Sequence, residues 1–413
     1  MMLIPRKIGG YIAETWMTGI ILKQKITRFA GLLLFNVVIV VVFLEVGLRL
    51  FTPILPEQLA TVARRVSTGQ PYAQDWTPAW QTNADHYWIL KPGIENELQY
   101  GSPTTPFRLT TIELWAGGGV GFRTRPVDFF VDAVVVGDSF GMCFTEQADC
   151  WVEQLATHFQ PPLGIVNLSQ PVTGTTSHGR ILADFGAPLT PPLVIWQFFG
   201  NDFNDDYGLA VLRDEVPEIT EQPISQADAP LIEWLRRNSV AYAVIETVFT
   251  GQFKGVSDYD KLFIKPHTVK IGDDILQFGA GYEQQAMDMF REQNQIGLRY
   301  SREAFQKAQD LVETWAGQLV VVIIPTREEV YAQLTEPIMG EESLAKLTSA
   351  RDAMHDLCDE LDMLCYDPLE DFTQRAQAGE MLYFADDMHL NPHGNAVLAK
   401  LLAAWLKEQK TLD

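Results

Sequence analysis

The sequence predicts an α/β protein, a doubly wound parallel sheet covered by helices, behind an N-terminal transmembrane helix. Three observations lead there. Apolar runs bounded by turn residues recur at Phe129–Val136, Gly164–Leu168, Leu193–Phe199, Leu319–Ile324 and Met363–Tyr366, each as continuous as a strand buried on both faces. Helical stretches alternate with them, as βαβ units require. Ahead of all of them, Phe29–Leu44 (FAGLLLFNVVIVVVFL) contains no charged residue.

That charge-free run rises about 24 Å as a helix, and about 30 Å if continued to Leu48, the thickness of a bilayer core. Glu45 and Arg49 follow at i,i+4, where they can pair at the interface. Residues 1–28 carry Arg6, Lys7, Lys23, Lys25 and Arg28 against Glu14, a net +4; the total of -22 leaves -26 for the rest. Basic residues ahead of the span place the N-terminus in the cytoplasm and everything after about residue 50 outside. A cleaved signal peptide is the rival, but its leader is long and no small-x-small site follows the apolar run. Ile8–Leu22 offers a weak interfacial helix.

The 413 residues are 47% hydrophobic and 20% charged, which excludes wholesale disorder. So acidic a body excludes nucleic acid as a partner. The chain divides into a basic head (1–28), an anchor (29–50), a Pro-, Gly-, Thr- and Trp-rich stalk and irregular leading segment (51–125), and one α/β domain (126–413). An insertion at about 203–300 interrupts that domain. Its helices are expected at Cys150–Phe159, Ser301–Ala316, Glu341–Leu361 and Pro392–Lys407, the last capped by Asn391 before a first-turn proline. The insertion holds a helical piece, Leu231–Phe249, and a hairpin turning at Gly272-Asp273. Cys143 and Cys150, and Cys358 and Cys365, are each seven apart, so two local disulfides are one of three connectivities, with unpaired thiols the alternative. No His/Cys cluster has metal-ligand spacing, and no cofactor is expected.

Four polar constellations stand at the strand ends or before the last helix. Ser139, in Val136-Gly137-Asp138-Ser139-Phe140-Gly141, follows the first strand, where open α/β sheets bind ligands. The segment also fits the G-x-S-x-G nucleophile elbow, but an elbow serine sits mid-sheet with several strands before it. Gly174, after the second strand, offers a backbone N–H. Asn201, in Gly200-Asn201-Asp202, can aim an amide at an oxyanion. His389 follows Asp386 and Asp387, either of which can orient its imidazole for proton transfer from a serine. His393 reads as a helix-start residue.

In that order, Ser, Gly, Asn and Asp/His, the motifs resemble the SGNH (GDSL-type) hydrolase family over residues 129–407. Glu45-Val-Gly-Leu-Arg49, Ile89-Leu-Lys-Pro92, Gly121-Phe122-Arg123 and Ile324-Pro325-Thr326-Arg-Glu-Glu-Val-Tyr331 resemble its membrane-anchored bacterial members and alginate-acetylation relatives. The resemblance implies a flavodoxin-like sheet, Ser139 as nucleophile and His389 as general base. It implies Asp386 by the usual spacing, or Asp387 by a D-x-H spacing, as the acid. It implies an oxyanion hole of the Ser139 N–H, Gly174 N–H and Asn201 side chain, although Ser169 and Val172 also occupy places where the second block's glycine is usual.

The expected function is a membrane-anchored extracytoplasmic serine esterase or O-acyltransferase. It would act without cofactor or metal on an ester or acylated carbohydrate, such as surface polysaccharide, alongside a membrane acyltransferase partner. A second reading is a non-catalytic, membrane-tethered carbohydrate-binding or assembly module, which the altered second block and the Gly141-Met142 flank would fit.

Overall fold

The computed structural model describes residues 31–32, 35–36, 38–68, 80–83, 87–100, 105–126, 130–219, 230–250, 262–263 and 265–411. Two compact units emerge: one of residues 1–73 and 224–257, the other of 74–223 and 258–413.

The larger unit is built on five parallel strands, β1 (Ala133–Val136), β2 (Ile165–Asn167), β3 (Leu193–Phe199), β4 (Gln318–Ile324) and β5 (Leu364–Tyr366). Their order is β5-β4-β3-β1-β2, the flavodoxin-like arrangement, with its switch point between β1 and β3. Every residue of β1 and β3 is buried, which is why both read as unbroken apolar runs. The main helices are α1 (Ser139–Met142), α2 (Trp151–Thr157), α3 (Thr175–Ile181), α4 (Asp202–Leu212), α5 (Glu292–Glu313), α6 (Arg327–Val330), α7 (Glu341–Glu360) and α8 (Pro392–Gln409), with further helices between them. Helix α8 packs on α2, and α5 packs on α3 and α4.

Three expectations change. Helix α5 starts at Glu292, ahead of the expected Ser301, because its first turns bury Gln293, Asn294 and Gly297 with Ile296 as their one buried apolar side chain, too little to show an apolar stripe. A Cβ on Gly297 would lie 1.7 Å from the Phe203 carbonyl oxygen, so α5 and α4 meet backbone to backbone there. The leading segment is not irregular throughout. Strands Trp80–Asn83 and Tyr87–Leu90 pair antiparallel, as do Glu95–Tyr100 and Thr105–Thr110. These hairpins join the larger unit through the core of Leu90, Phe107 and Leu109 with Met142, Phe144 and Phe384. Buried Arg123 donates to the Met142, Cys143 and Thr145 carbonyls (3.0, 2.5 and 2.5 Å), and Gln170 bonds the Leu90 N–H and the Gly121 carbonyl.

The interval 203–300 divides between the two units. Its first helix is α4, residues 224–257 group with the N-terminal unit, and the hairpin His267–Ile271/Asp274–Phe278 returns to the larger one. The expected helix Leu231–Phe249 is two, Pro230–Asn238 and Val240–Thr250, broken at Ser239.

Cys143 bonds Cys150 and Cys358 bonds Cys365. The basic head, the Ile8–Leu22 helix and part of the expected span (Phe29–Ala30, Leu33–Leu34, Val37) lie outside the described residues. Residues 38–50 are helical, and among the described residues no helix is long and apolar enough to cross a membrane.

Candidate functional site

The site forms where β1 and β3 end side by side. Strand β1 leaves through Gly137-Asp138, and Ser139 opens α1. The Asp138 carboxylate accepts the Phe140 N–H at 2.8 Å, capping that turn. From β3, Gln197 Oε1 accepts the Asp138 and Gly141 N–H groups, both at 3.0 Å. This close tie requires both glycines: a Cβ on Gly137 would lie 2.4 Å from Gln197 Oε1, and one on Gly141 2.1 Å from Ser169 Oγ. The G-x-S-x-G spacing thus reflects how the turn is pinned to β3.

Ser139 Oγ lies 2.7 Å from His389 Nε2. His389 Nδ1 lies 2.5 Å from Asp387 Oδ1, which also accepts the His389 N–H at 2.9 Å. The loop folds back on itself, Tyr383 bridging Leu390, and Asn391 caps α8 by accepting the Gly394 N–H. Phe140 and Phe144 bracket the imidazole at centroid distances of 4.5 and 4.7 Å. Burial would raise the Asp387 carboxyl, but His389 and Lys265 hold it well below the ordinary range. For Asp386, burial and then the Asp387 charge raise the carboxyl, and its buried Oδ1 has no hydrogen-bond partner. The structure therefore brings Ser139, His389 and Asp387 into one hydrogen-bonded row, and it is Asp387 that bonds the ring.

Asn201 begins the turn into α4. Its Nδ2 donates to Asp205 Oδ2 at 3.0 Å and lies 3.4 Å from the Tyr282 hydroxyl, while its Oδ1 is buried and unpartnered. Gly174 N-caps α3 and packs against α4, where a Cβ would meet the Asp202 carbonyl at 2.5 Å. Of the alternative second-block positions, Ser169 Oγ is buried and unpartnered, and Val172 takes a left-handed φ of 57°, a conformation that a β-branched residue rarely adopts. His393 bonds Glu380 at 2.6 Å.

Sequence reasoning misses several residues around this row. Gln197 sits inside an apolar run, and one polar residue in an otherwise buried strand is the signal that could have found it. Arg327, fully buried in α6, donates twice to Glu283 (2.8 and 3.0 Å) and once to Glu328 (3.3 Å). Burial opposes its charge, but Glu283, Glu328 and then Asp387 hold it protonated. Among the described residues no group of three or more His, Cys, Asp or Glu could hold a metal ion.

Residues 284–413 match the model of an SGNH hydrolase-like domain, acetyltransferase AlgX. That stretch includes Asp387 and His389 but not Ser139 or Asn201. No curated protein matches the chain. Similar solved structures include LAE5, an alpha/beta hydrolase enzyme from the metagenome of Lake Arreo, Spain, at 13% identity and TM-score 0.35, covering 69% of this chain and 98% of that one. The acetyl xylan esterase AlAXEase is 10% identical at TM-score 0.34, covering 67% and 98%. TesA is 11% identical at TM-score 0.34, covering 68% and 99%.

Proposed function

From an SGNH-type domain of the alginate-acetylation kind, we propose that this chain is a serine esterase or O-acyltransferase that forms an acyl-enzyme on Ser139. The observation that carries the reading is the row Ser139 Oγ, His389 Nε2 at 2.7 Å and Asp387 Oδ1 at 2.5 Å from Nδ1. An ionised Asp387 accepts the Nδ1 proton and leaves Nε2 as the base facing the hydroxyl. As Ser139 Oγ attacks an ester carbonyl, its proton passes to Nε2. Collapse of the tetrahedral intermediate breaks the ester C–O bond, and His389 returns that proton to the departing alkoxide. Water or a carbohydrate hydroxyl then gives its proton to Nε2, attacks the acyl-serine and releases Ser139. Oxyanion stabilisation falls to the Ser139 and Gly174 N–H groups and the Asn201 amide, each such donor being worth about 10²–10³ in kcat.

We place the enzyme outside the cytoplasm on an N-terminal anchor. The charge-free run, the basic residues before it and the two disulfides support this. We propose an acylated surface carbohydrate as substrate and a membrane acyltransferase as partner, a reading that the acetyltransferase named in the family match supports by analogy. A fluorophosphonate probe tests the chemistry. Wild-type protein labels and turns over p-nitrophenyl acetate, while Ser139→Ala and His389→Ala do neither. A folded wild type that does neither refutes the enzyme reading. Comparing acetyl release to water with transfer to an oligosaccharide separates hydrolase from transferase. A reporter fused after residue 60 reads the topology, and activity in the cytoplasm overturns it.

A further inference from the structure

We propose that the helix pair Pro230–Asn238 and Val240–Thr250 is a second membrane-contacting element that lies in the outer interface of the bilayer beside the anchor; this builds on the anchored reading above. The joint between the two helices is held by the Glu45/Arg49 pair at the end of the charge-free run. Glu45 accepts hydrogen bonds from the Ser239 hydroxyl (2.9 Å) and the Val240 and Ala241 N–H groups (3.0 and 2.9 Å), capping the start of the second helix. Arg49 donates to Glu45 at 2.7 Å and to the Asn238 carbonyl at 3.0 Å, satisfying the end of the first helix. One ion pair thus complements a helix start and a helix end, each with the favourable sign. It also fixes the elbow at Ser239 within one turn of Leu44, the last residue of the charge-free run, and so at the depth where that run meets the headgroups.

One side of the pair is packed and the other is bare. Val240, Ala243 and Val244 bury themselves against Val62, Ala63 and Val66 of the Glu57–Thr68 helix. The opposite side presents Leu231 (68% exposed), Trp234 (58%), Val248 (61%) and Phe249 (85%), with Ile245 between them. Ile245, Val248 and Phe249 recur at i,i+3 and i,i+4 and form an apolar stripe on the second helix, and Leu231 and Trp234 stand at i,i+3 on the first. A patch of this kind marks a contact surface. The two helices carry Glu233 and Glu246 against Arg236 and Arg237, a formal net charge of zero, and Arg236 holds Glu246 through contacts of 2.8–3.0 Å with both side chains mostly buried. Glu246 is the only charged residue in Val240–Thr250. Trp and Phe on a neutralised, headgroup-level face suit the membrane interface.

The test uses the full chain in vesicles of phosphatidylethanolamine and phosphatidylglycerol. Single cysteines carrying an environment-sensitive NBD label replace Trp234, Phe249, Val41 on the anchor, or the exposed Glu342. Quenching by a lipid bearing a doxyl group near its headgroup is expected to be several-fold stronger at 234 and 249 than at 342, with a blue-shifted emission. Labels at 234 and 249 as open to aqueous iodide as 342 overturn the proposal, as does cross-linking of these sites between two copies without lipid quenching. Val41 separates the two readings: quenching at 41 without quenching at 234 and 249 rejects only the helix pair, whereas no quenching at 41 rejects the anchor.

Discussion

Replacing Asp387 with asparagine removes one negative charge and turns an acceptor of the His389 Nδ1 proton into an amide. The carboxylate lies 2.5 Å from Nδ1 and 2.9 Å from the His389 N–H, so the substitution changes both bonds without changing volume. An amide in this place favours the tautomer with the proton on Nε2, which points that proton at Ser139 and abolishes the base. The loss for such a change in a serine triad is on the order of 10⁴ in kcat, about 5.5 kcal/mol in barrier. Asp386→Asn is the matched control. Its buried Oδ1 has no partner and it is Asp387 that bonds the ring, so kcat is expected to stay within about threefold, under ~0.7 kcal/mol. The assay is p-nitrophenyl acetate turnover near pH 7.5, where Asp387 is fully ionised, with a thermal melt of each variant to establish folding. Equal mild losses in both variants, or a larger loss in Asp386→Asn, would refute the assignment of the acid.

Gly137→Ala puts a methyl 2.4 Å from Gln197 Oε1, and overpacking of this kind costs about 1–3 kcal/mol; a melting temperature equal to wild type would contradict the account of that turn. The Asp206 carboxyl is pushed up to about 6 by burial, against the donors Thr175, Ser301 and Thr176. A carboxyl raised in the folded state stabilises most below its unfolded value. Unfolding free energy should therefore fall by about 1.4 kcal/mol per pH unit from about pH 4 to 6 on its account. Asp206→Asn should flatten that slope in urea melts, and an unchanged slope counts against it. Cys358→Ser with Cys365→Ser opens a short loop and is expected to cost about 2–3 kcal/mol; identical melts with and without reductant would argue that the bond does not form.

The parallel strands were legible because a strand covered on both faces must be apolar without interruption, and Leu193–Phe199 is buried at every position. Ser139, Asn201 and His389 stood out together rather than singly, through their order at two strand ends and before the last helix. Which carboxylate bonds the imidazole was not legible. Asp386 and Asp387 are neighbours in one short loop, and only the fold-back that bridges Tyr383 to Leu390 decides which carboxylate meets the ring. The leading hairpins were illegible for a related reason: their inward residues Phe107 and Leu109 make a core only against Phe144 and Phe384, which the sequence does not place beside them. Likewise, Leu231–Phe249 breaks at Ser239 because Glu45, remote in sequence, caps the new start.

By itself, then, the sequence determined what depends on local pattern: the strand runs, the capped last helix, the charge-free segment and the types of residue at the strand ends. The tertiary structure decided what depends on long-range approach. It bonded Asp387 to His389, tied Gln197 to the serine turn, and set the buried charges of Arg327, Glu283 and Glu328 together. Hydrogen bonds and buried charges act over a few ångströms, and which distant residues come within that range is fixed only when the chain has folded.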